Sequence, residues 1–223
     1  MYNDKKSNYF ENIRMDLIHL IPETFKACNI LEIGCGNGAT LYKLKQMGIA
    51  STTTGIELFP SPKNNYYNTI DHFMSNNIET LIFPIQMNNS FDIIILGDVL
   101  EHLIDPWAAL KKISFLLTPK GKILISLPNI RNYTILKSII LKGDFKYEEA
   151  GILDKTHLRF FCKKNALDLL ENAGLKVEVI TSLFDNETKK SKRYWLNKIT
   201  FGVFHDFFVY QHLIVGVKVK YEE

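Results

Sequence analysis

The sequence is poor in cysteine, and the three it has, Cys28, Cys35 and Cys162, are scattered without a C-x-x-C pair. That spacing excludes a disulfide framework and a zinc knuckle. Long apolar runs are missing as well: none reaches the roughly 18 residues that a membrane-crossing helix needs. The opening residues Met1-Tyr2-Asn3-Asp4-Lys5-Lys6 lack the apolar core of a signal peptide, so a cytoplasmic protein without a membrane span is expected. Excess charge is slight. A net of +3 supplies too little positive field for a nucleic-acid partner to be expected. Internal repeats and low-complexity tracts are also absent.

What is present is an ordinary globular composition, 46% hydrophobic and 23% charged over 223 residues, enough for one α/β domain with a substantial core. The stretch Ile30-Leu31-Glu32-Ile33-Gly34-Cys35-Gly36-Asn37-Gly38 organises it. An apolar strand runs into three glycines at alternate positions, followed by a helix-forming run over 39–47. Strand, glycine turn and helix together describe a nucleotide-type cofactor site.

Apolar residues at helical spacing predict a helix over 9–21, stopped by Pro22, serving as an edge-packed element or a lid. Strands are expected at 51–56, closing on Glu57, at 71–74, ending before Asn76-Asn77, and at 91–96. A short helix is expected over 64–70. The continuous apolar run Phe91-Asp92-Ile93-Ile94-Ile95-Leu96 suits a central parallel strand covered on both faces. Asp105 and Pro106 open a helix that runs to about Leu117, and a strand follows over 122–127. Alternating strands and helices imply a doubly wound sheet whose ligands bind beyond the strands' carboxyl ends. The polar residues gathered there are Glu57, Asn77, Asp98, Glu101, His102 and Asn129. After Pro128 come a helix over 133–141, a loop over 143–161, a helix over 163–173, a strand over 175–181 and a last strand over 209–220.

Two cofactors fit the glycine turn. Gly34-x-Gly36-x-x-Ala39 with Glu57 downstream satisfies the dinucleotide fingerprint. Against it, Glu32 aims a carboxylate at the site, which suits the cationic S-adenosylmethionine and not a pyrophosphate. A chain of this length also leaves little room for a dehydrogenase's substrate domain.

Leu31-Glu32-Ile33-Gly34-Cys35-Gly36-Asn37-Gly38, Gly55-Ile56-Glu57, Phe91-Asp92-Ile93-Ile94-Ile95, Leu100-Glu101-His102 and Leu117-Thr118-Pro119-Lys120-Gly121-Lys122 resemble the class I S-adenosylmethionine-dependent methyltransferases. The resemblance covers roughly residues 28–127. It implies a Rossmann-like seven-stranded sheet with an antiparallel last strand and helices on both faces. It divides 1–223 into an N-terminal helix or lid (1–24), a cofactor-binding core (25–127) and substrate-side loops with C-terminal strands (128–223). By motif position, Glu32 with Gly34, Gly36 and Gly38 would hold the methionine end of the cofactor. Glu57 would accept the ribose hydroxyls, Asn77 would face the adenine amino group, and Gly97 and Asp98 would line the methionine side. S-adenosylhomocysteine is the implied product.

Further on, Leu127-Pro128-Asn129-Ile130-Arg131-Asn132-Tyr133 and the segment from Gly151 to Phe161 resemble a bacterial subgroup often linked to sugar or cell-surface glycan biosynthesis. The expected reaction is O-methylation of a small polar metabolite such as a sugar, nucleotide sugar or glycan precursor. An N-methyltransferase and a non-catalytic cofactor-binding protein are the alternatives. A hydroxyl acceptor gains from a general base. His157 is the first candidate and His102 the second. Arg159 suits a bidentate contact to phosphate or carboxylate, and Tyr133, Asn129 and Asp154 complete the expected acceptor contacts. Asp98, Glu101 and His102 with the distant His157 also form a donor set for a divalent ion. It is similar to that of small-RNA 3′-end 2′-O-methyltransferases and of some quinone-pathway O-methyltransferases. The basic run from Lys189 to Arg193 is read as a solvated loop. The aromatic residues Phe201, Phe204, Phe207, Phe208 and Tyr210 are read as core or as a homodimer contact.

Overall fold

A computed structural model describes residues 13–60, 65–186 and 191–219. Seven strands form one sheet: β1 (Cys28–Ile33), β2 (Ala50–Glu57), β3 (His72–Ser75), β4 (Phe91–Gly97), β5 (Leu117–Pro128), β6 (Leu175–Thr181) and β7 (Gln211–Lys218). Their order is β3-β2-β1-β4-β5-β7-β6. β7 runs antiparallel to both its neighbours, and the other pairs are parallel. This is the expected Rossmann-like sheet.

Alternation along the central strands assigns the two faces. Ile93 and Ile95 of β4 pack with Leu17 and Ile18 of α1 (Met15–Ile18) and with Leu41 and Leu44 of α2 (Ala39–Gln46). Ile94 and Leu96 point the other way, into Leu110 and Ile113 of α3 (Pro106–Ser114). That side also takes Leu169 and Leu170 of α5 (Lys163–Asn172). A strand stretch buried on both faces must be apolar, which is why β4 reads as an unbroken run from Ile93 to Leu96. The Asp105 side chain caps α3 by accepting from the Ala108 N–H at 2.9 Å, with Pro106 in the first turn.

Several expected boundaries move. The helix over 9–21 shrinks to Met15–Ile18, with residues 9–12 outside the described region. The Arg14 N–H is drawn to Thr40 Oγ1 (3.3 Å) and holds the chain out of helical geometry there. The helix over 64–70 is a single 3₁₀ turn, Tyr67–Thr69, because the Tyr67 hydroxyl is tied to the Gly36 carbonyl at 2.6 Å; Asn64 lies outside the described residues. α3 stops at Ser114, since Leu117 already pairs with Phe91 of β4. Between that pair and the next, Lys122 with Ile93, residues 118–121 bulge out of register. Beyond β5 lie α4 (Tyr133–Lys142), α6 (Lys192–Ile199) and α7 (His205–Phe208). Lys189, Lys190 and Lys220 lie outside the described residues. No helix among the described residues is long and apolar enough to cross a membrane.

Candidate active site

At the carboxyl ends of β1, β2 and β4, where the strand order reverses direction, a cavity of about 480 Å³ opens. Glu32, Gly34, Gly36, Glu57, Asn77, Gly97, Asp98 and His102 all line it. Gly38 sits behind the turn as the α2 cap, where a Cβ would strike Ile70. Gly34 is at φ +70, and a Cβ there would lie 2.6 Å from Val99 Cγ2. Only glycine satisfies both the left-handed backbone and the contact.

Glu32 shares the sheet face of Ile30, so it points toward α1 and α2. It is 4% exposed. Burial lifts its carboxyl to about 8, against a hydrogen bond with Thr40 and the neighbouring Arg14 cation; Glu57 adds repulsion. Its Oε2 makes no hydrogen bond. A buried carboxylate oxygen facing a cavity without a donor fits a ligand that brings an ammonium or N–H group.

Glu57 is held by backbone. Its Oε2 accepts from the Gly36 N–H at 2.8 Å and its Oε1 from the Phe59 N–H at 2.9 Å. Burial still raises its pKa above the ordinary carboxylate value. Each oxygen keeps a lone pair for a hydroxyl of a ligand diol. Asn77 turns its Oδ1 to the Glu79 N–H (2.8 Å).

The wall beside Gly97 and Asp98 is an ionic knot. Asp98, at φ +57, accepts from Arg14 Nη1 (2.9 Å), from Ser126 Oγ (2.8 Å) and from Gln211 Nε2. Arg14 also donates to both oxygens of Asp16, at 3.0 and 2.8 Å. Burial opposes its charge, but Asp16 and Asp98 outweigh that and push its pKa up. Arg14, Asp16, Thr40, Asn76 and Gln211 line the cavity without having been singled out in the sequence. Arg14 and Gln211 reach Asp98 across 84 and 113 positions, a separation that leaves no local signal.

His102 comes from the 3₁₀ turn Leu100–His102 just past β4. Its Nδ1 lies 3.1 Å from the Thr156 carbonyl and 3.2 Å from Thr156 Oγ1. The Thr156 hydroxyl spends its proton on Asp154 Oδ1 at 2.7 Å, so both oxygens accept and His102 Nδ1 carries the proton. In the neutral ring Nε2 is then the lone-pair nitrogen. His157 lies behind it, ring to ring at 4.7 Å, with its Nδ1 3.0 Å from the Ile152 carbonyl and its Nε2 4.0 Å from Glu101 Oε1. It does not line the cavity. Glu101, His102 and His157 bring one ligand atom each within 4.8 Å of one another, a carboxylate and two imidazoles suited to a divalent ion. The expected fourth donor, Asp98, is engaged in the Arg14 knot and stands apart from this group.

The expected acceptor contacts divide. Asn129 is fully buried and its amide spans the Asp206 and Val209 carbonyls at 2.7 and 2.9 Å. Asp154 is 1% exposed and binds the Thr156 N–H and hydroxyl. Both are spent on shaping loops, because a buried polar group must find its partners inside the protein. Arg159 crosses to the Ile104 carbonyl and lies 6.0 Å from the Trp107 ring. Tyr133 is exposed and meets the Phe208 ring edge-on at 5.9 Å. Beside the cavity, Leu183, Phe184, Arg193, Phe208 and Tyr210 line a second hollow of about 230 Å³ that shares Gln211 with it.

A family model described as a methyltransferase domain matches residues 6–179. Among curated proteins, the ubiquinone biosynthesis O-methyltransferase of Coxiella burnetii (strain Dugway 5J108-111) is 27% identical over 187 residues, covering 77% of this chain and 76% of the relative. Among solved structures, a SAM-dependent methyltransferase from Archaeoglobus fulgidus aligns with a TM-score of 0.63 at 18% identity, over 96% of this chain and 95% of the other. The 1,6-didemethyltoxoflavin-N1-methyltransferase of Burkholderia thailandensis, solved with S-adenosylhomocysteine, aligns with a TM-score of 0.62 at 14% identity, over 98% and 81%. At such identities the two structures speak for the fold.

Proposed function

The chain belongs to the methyltransferase-domain family, and from that premise we propose that it methylates a hydroxyl of a small organic acceptor, with S-adenosylmethionine as donor and His102 as general base. Two features support this cofactor: the buried, unpartnered Oε2 of Glu32 and the left-handed turn at Gly34. When bound, S-adenosylmethionine supplies a methyl carbon on a sulfonium centre, open to in-line displacement. Glu32 holds the amino group, Glu57 the ribose hydroxyls and Asn77 the adenine edge, while Gly97 and Asp98 wall the methionine side. The remaining work of the protein is to align the acceptor and exclude water.

The observation that carries the reaction type is His102 on the cavity wall, its proton fixed at Nδ1 by Thr156. Its Nε2 takes the acceptor's hydroxyl proton, and His157 keeps the imidazole in place. The relatives' names favour a hydroxyl over an amine acceptor. They lend no support to the sugar acceptor expected from the sequence. The aromatic hollow beside Gln211, with Arg193 in its lining, favours a ring hydroxyl on an acceptor that carries an anionic group. A second reading has Glu101, His102 and His157 hold a divalent ion beside the acceptor oxygen.

One set of measurements tests all of this. S-adenosylhomocysteine at a hundred times its dissociation constant should stabilise the fold by about 2.7 kcal/mol; a shift with NAD and none with S-adenosylhomocysteine would refute the reading. His102→Ala should lower kcat by roughly 10²–10⁴-fold and keep cofactor affinity, whereas a mild loss assigns an amine acceptor. Dialysis against EDTA leaves the rate unchanged if His102 acts as a base. It abolishes the rate if the three residues hold an ion.

A further inference from the structure

Residues 77–81, which follow β3, form a single turn whose first three residues line the cavity. The Asn77 carbonyl accepts from the N–H groups of Thr80 (3.2 Å) and Leu81 (2.9 Å). Lys112 of α3, which is not in the lining, ties the turn down. Its Nζ donates to the carbonyls of Ile78 (2.6 Å), Glu79 (3.2 Å) and Leu81 (2.9 Å). Glu79 is drawn toward the same helix, its Oε1 accepting from the Asp105 N–H at 2.9 Å. The turn adjoins Glu57, because the Asn76 N–H donates to the Glu57 carbonyl at 3.1 Å. Asn77 is thus held at the end of the cavity next to the carboxylate proposed for the ribose hydroxyls.

The way its amide is turned decides what it offers a ligand. The Glu79 N–H donates at 2.8 Å to one amide atom of Asn77, and a donor needs an acceptor, so that atom is Oδ1. With Oδ1 directed at the protein, Nδ2 is the atom left to face the cavity, and it donates to nothing among the described residues. Aspartate would make the same bond to Glu79 with one oxygen and keep the other as an acceptor. Asparagine keeps a donor instead. The difference matters at a purine edge. A ring nitrogen presents a lone pair, whereas the exocyclic amino group of adenine presents an N–H. Nδ2 bonds the first and opposes the second.

We propose that Asn77 reads the base of the cofactor by giving its Nδ2–H to a ring nitrogen, so that the site binds the cofactor without using adenine's exocyclic amino group. The inference rests on the S-adenosylmethionine reading above and deepens it. It inverts the polarity expected of Asn77 from the sequence. Cofactor recognition is then carried by Glu32 and Glu57, at the amino acid and the ribose, and the base pocket is permissive where the amino group lies.

The test is isothermal titration calorimetry of the full chain with S-adenosylhomocysteine and with the analogue that carries unsubstituted purine in place of adenine. The two should bind within about twofold of each other. Asn77→Asp keeps the bond to Glu79 and turns an acceptor toward the base. It should leave the melting temperature of the ligand-free protein unchanged and create a preference for S-adenosylhomocysteine of about tenfold, because only adenine has an amine to donate. A tenfold preference already present in the unaltered chain would overturn the inference, as would the lack of any preference in Asn77→Asp. Either result leaves the methyl-donor reading intact. Failure of both ligands to bind the unaltered chain would refute that reading and the inference together.

Discussion

Along β1 and β2 the cavity is held by backbone, whereas its Asp98 wall and the surroundings of the site beyond β5 are built from side chains. Glu57 is held by the Gly36 and Phe59 N–H groups, and Gly34 is defined by its own φ and by Val99. On the other side, Asn129 reaches across to the Asp206 and Val209 carbonyls, and Asp154 works through Thr156 to orient His102. Backbone-built features sit within a few residues of the strand that makes them. Side-chain networks depend on which distant segments happen to meet. The cofactor half therefore tolerates little local change, and the acceptor half should give way gradually.

Two glycines break the comparison most sharply. Gly34 and Gly143 share nearly the same backbone, at φ +70 and +63, but a Cβ at Gly143 meets nothing within 4 Å. Gly34→Ala should cost roughly 2–4 kcal/mol, adding a clash with Val99 to left-handed strain. Gly143→Ala should cost only about 1 kcal/mol, the strain alone. Urea unfolding of the two variants measures the gap. Equal costs would mean that the turn is no more constrained than a helix end on the acceptor side.

The same division decides what was legible in the sequence. β1, the glycine turn, Glu32, Glu57 and the buried strand β4 each follow from residues adjacent in the chain, and the doubly wound sheet follows from the alternation of strands with helices. Arg14 was hidden because the apolar spacing over 9–21 marks only the face that packs, and the Asp98 it meets lies 84 positions away. Gln211 was hidden because only the antiparallel pairing of β7 with β5 brings it to Asp98. Asn129 looked like an acceptor contact because polar residues beyond strand ends usually face ligand, and Asp154 because it shares a loop with His157. Their burial, which composition cannot reveal, turns them into loop anchors. In the proposed reaction His157 and His102 exchange places for the same reason: the loop packs His157 behind the turn that carries His102.

A smaller effect comes from Glu32. Burial lifts its carboxyl to about 8 in the folded protein, from an ordinary value of 4.5. Between these values the folded state keeps a proton that the unfolded chain has lost. Stability of the cofactor-free protein therefore falls as pH rises from about 4.5 to 8 and levels off above. From pH 5 to 7 the loss should be roughly 2 kcal/mol, and Glu32→Gln should flatten it. An ammonium group bound to the carboxylate reverses the preference. S-adenosylhomocysteine binding should then release a proton near pH 7, read by calorimetry in buffers of different ionisation heat. Binding without proton release would detach Glu32 from the amino group.

The smallest effect belongs to the acceptor half and shows what a side-chain network is worth there. Asp185 accepts from the Ser182 N–H (2.6 Å), from the hydroxyls of Ser182 (2.8 Å) and Thr181 (3.1 Å), and faces His205 Nε2 at 2.6 Å. Burial raises its pKa, but these partners overcome that and hold it below the ordinary carboxylate value. A lowered pKa adds stability above about pH 4, lost as pH falls through the folded value. With 34% of the Asp185 side chain exposed, solvent screens most of the attraction. Asp185→Asn should thus cost only about 0.5–1 kcal/mol at pH 7, and the deficit should close as pH falls through the folded value of the wild-type carboxyl. Thermal unfolding of both proteins across that range checks it. A loss as large as that of Gly34→Ala would mean that the acceptor half is fixed as rigidly as the cofactor half. The contrast between backbone-built and side-chain-built regions would then fail.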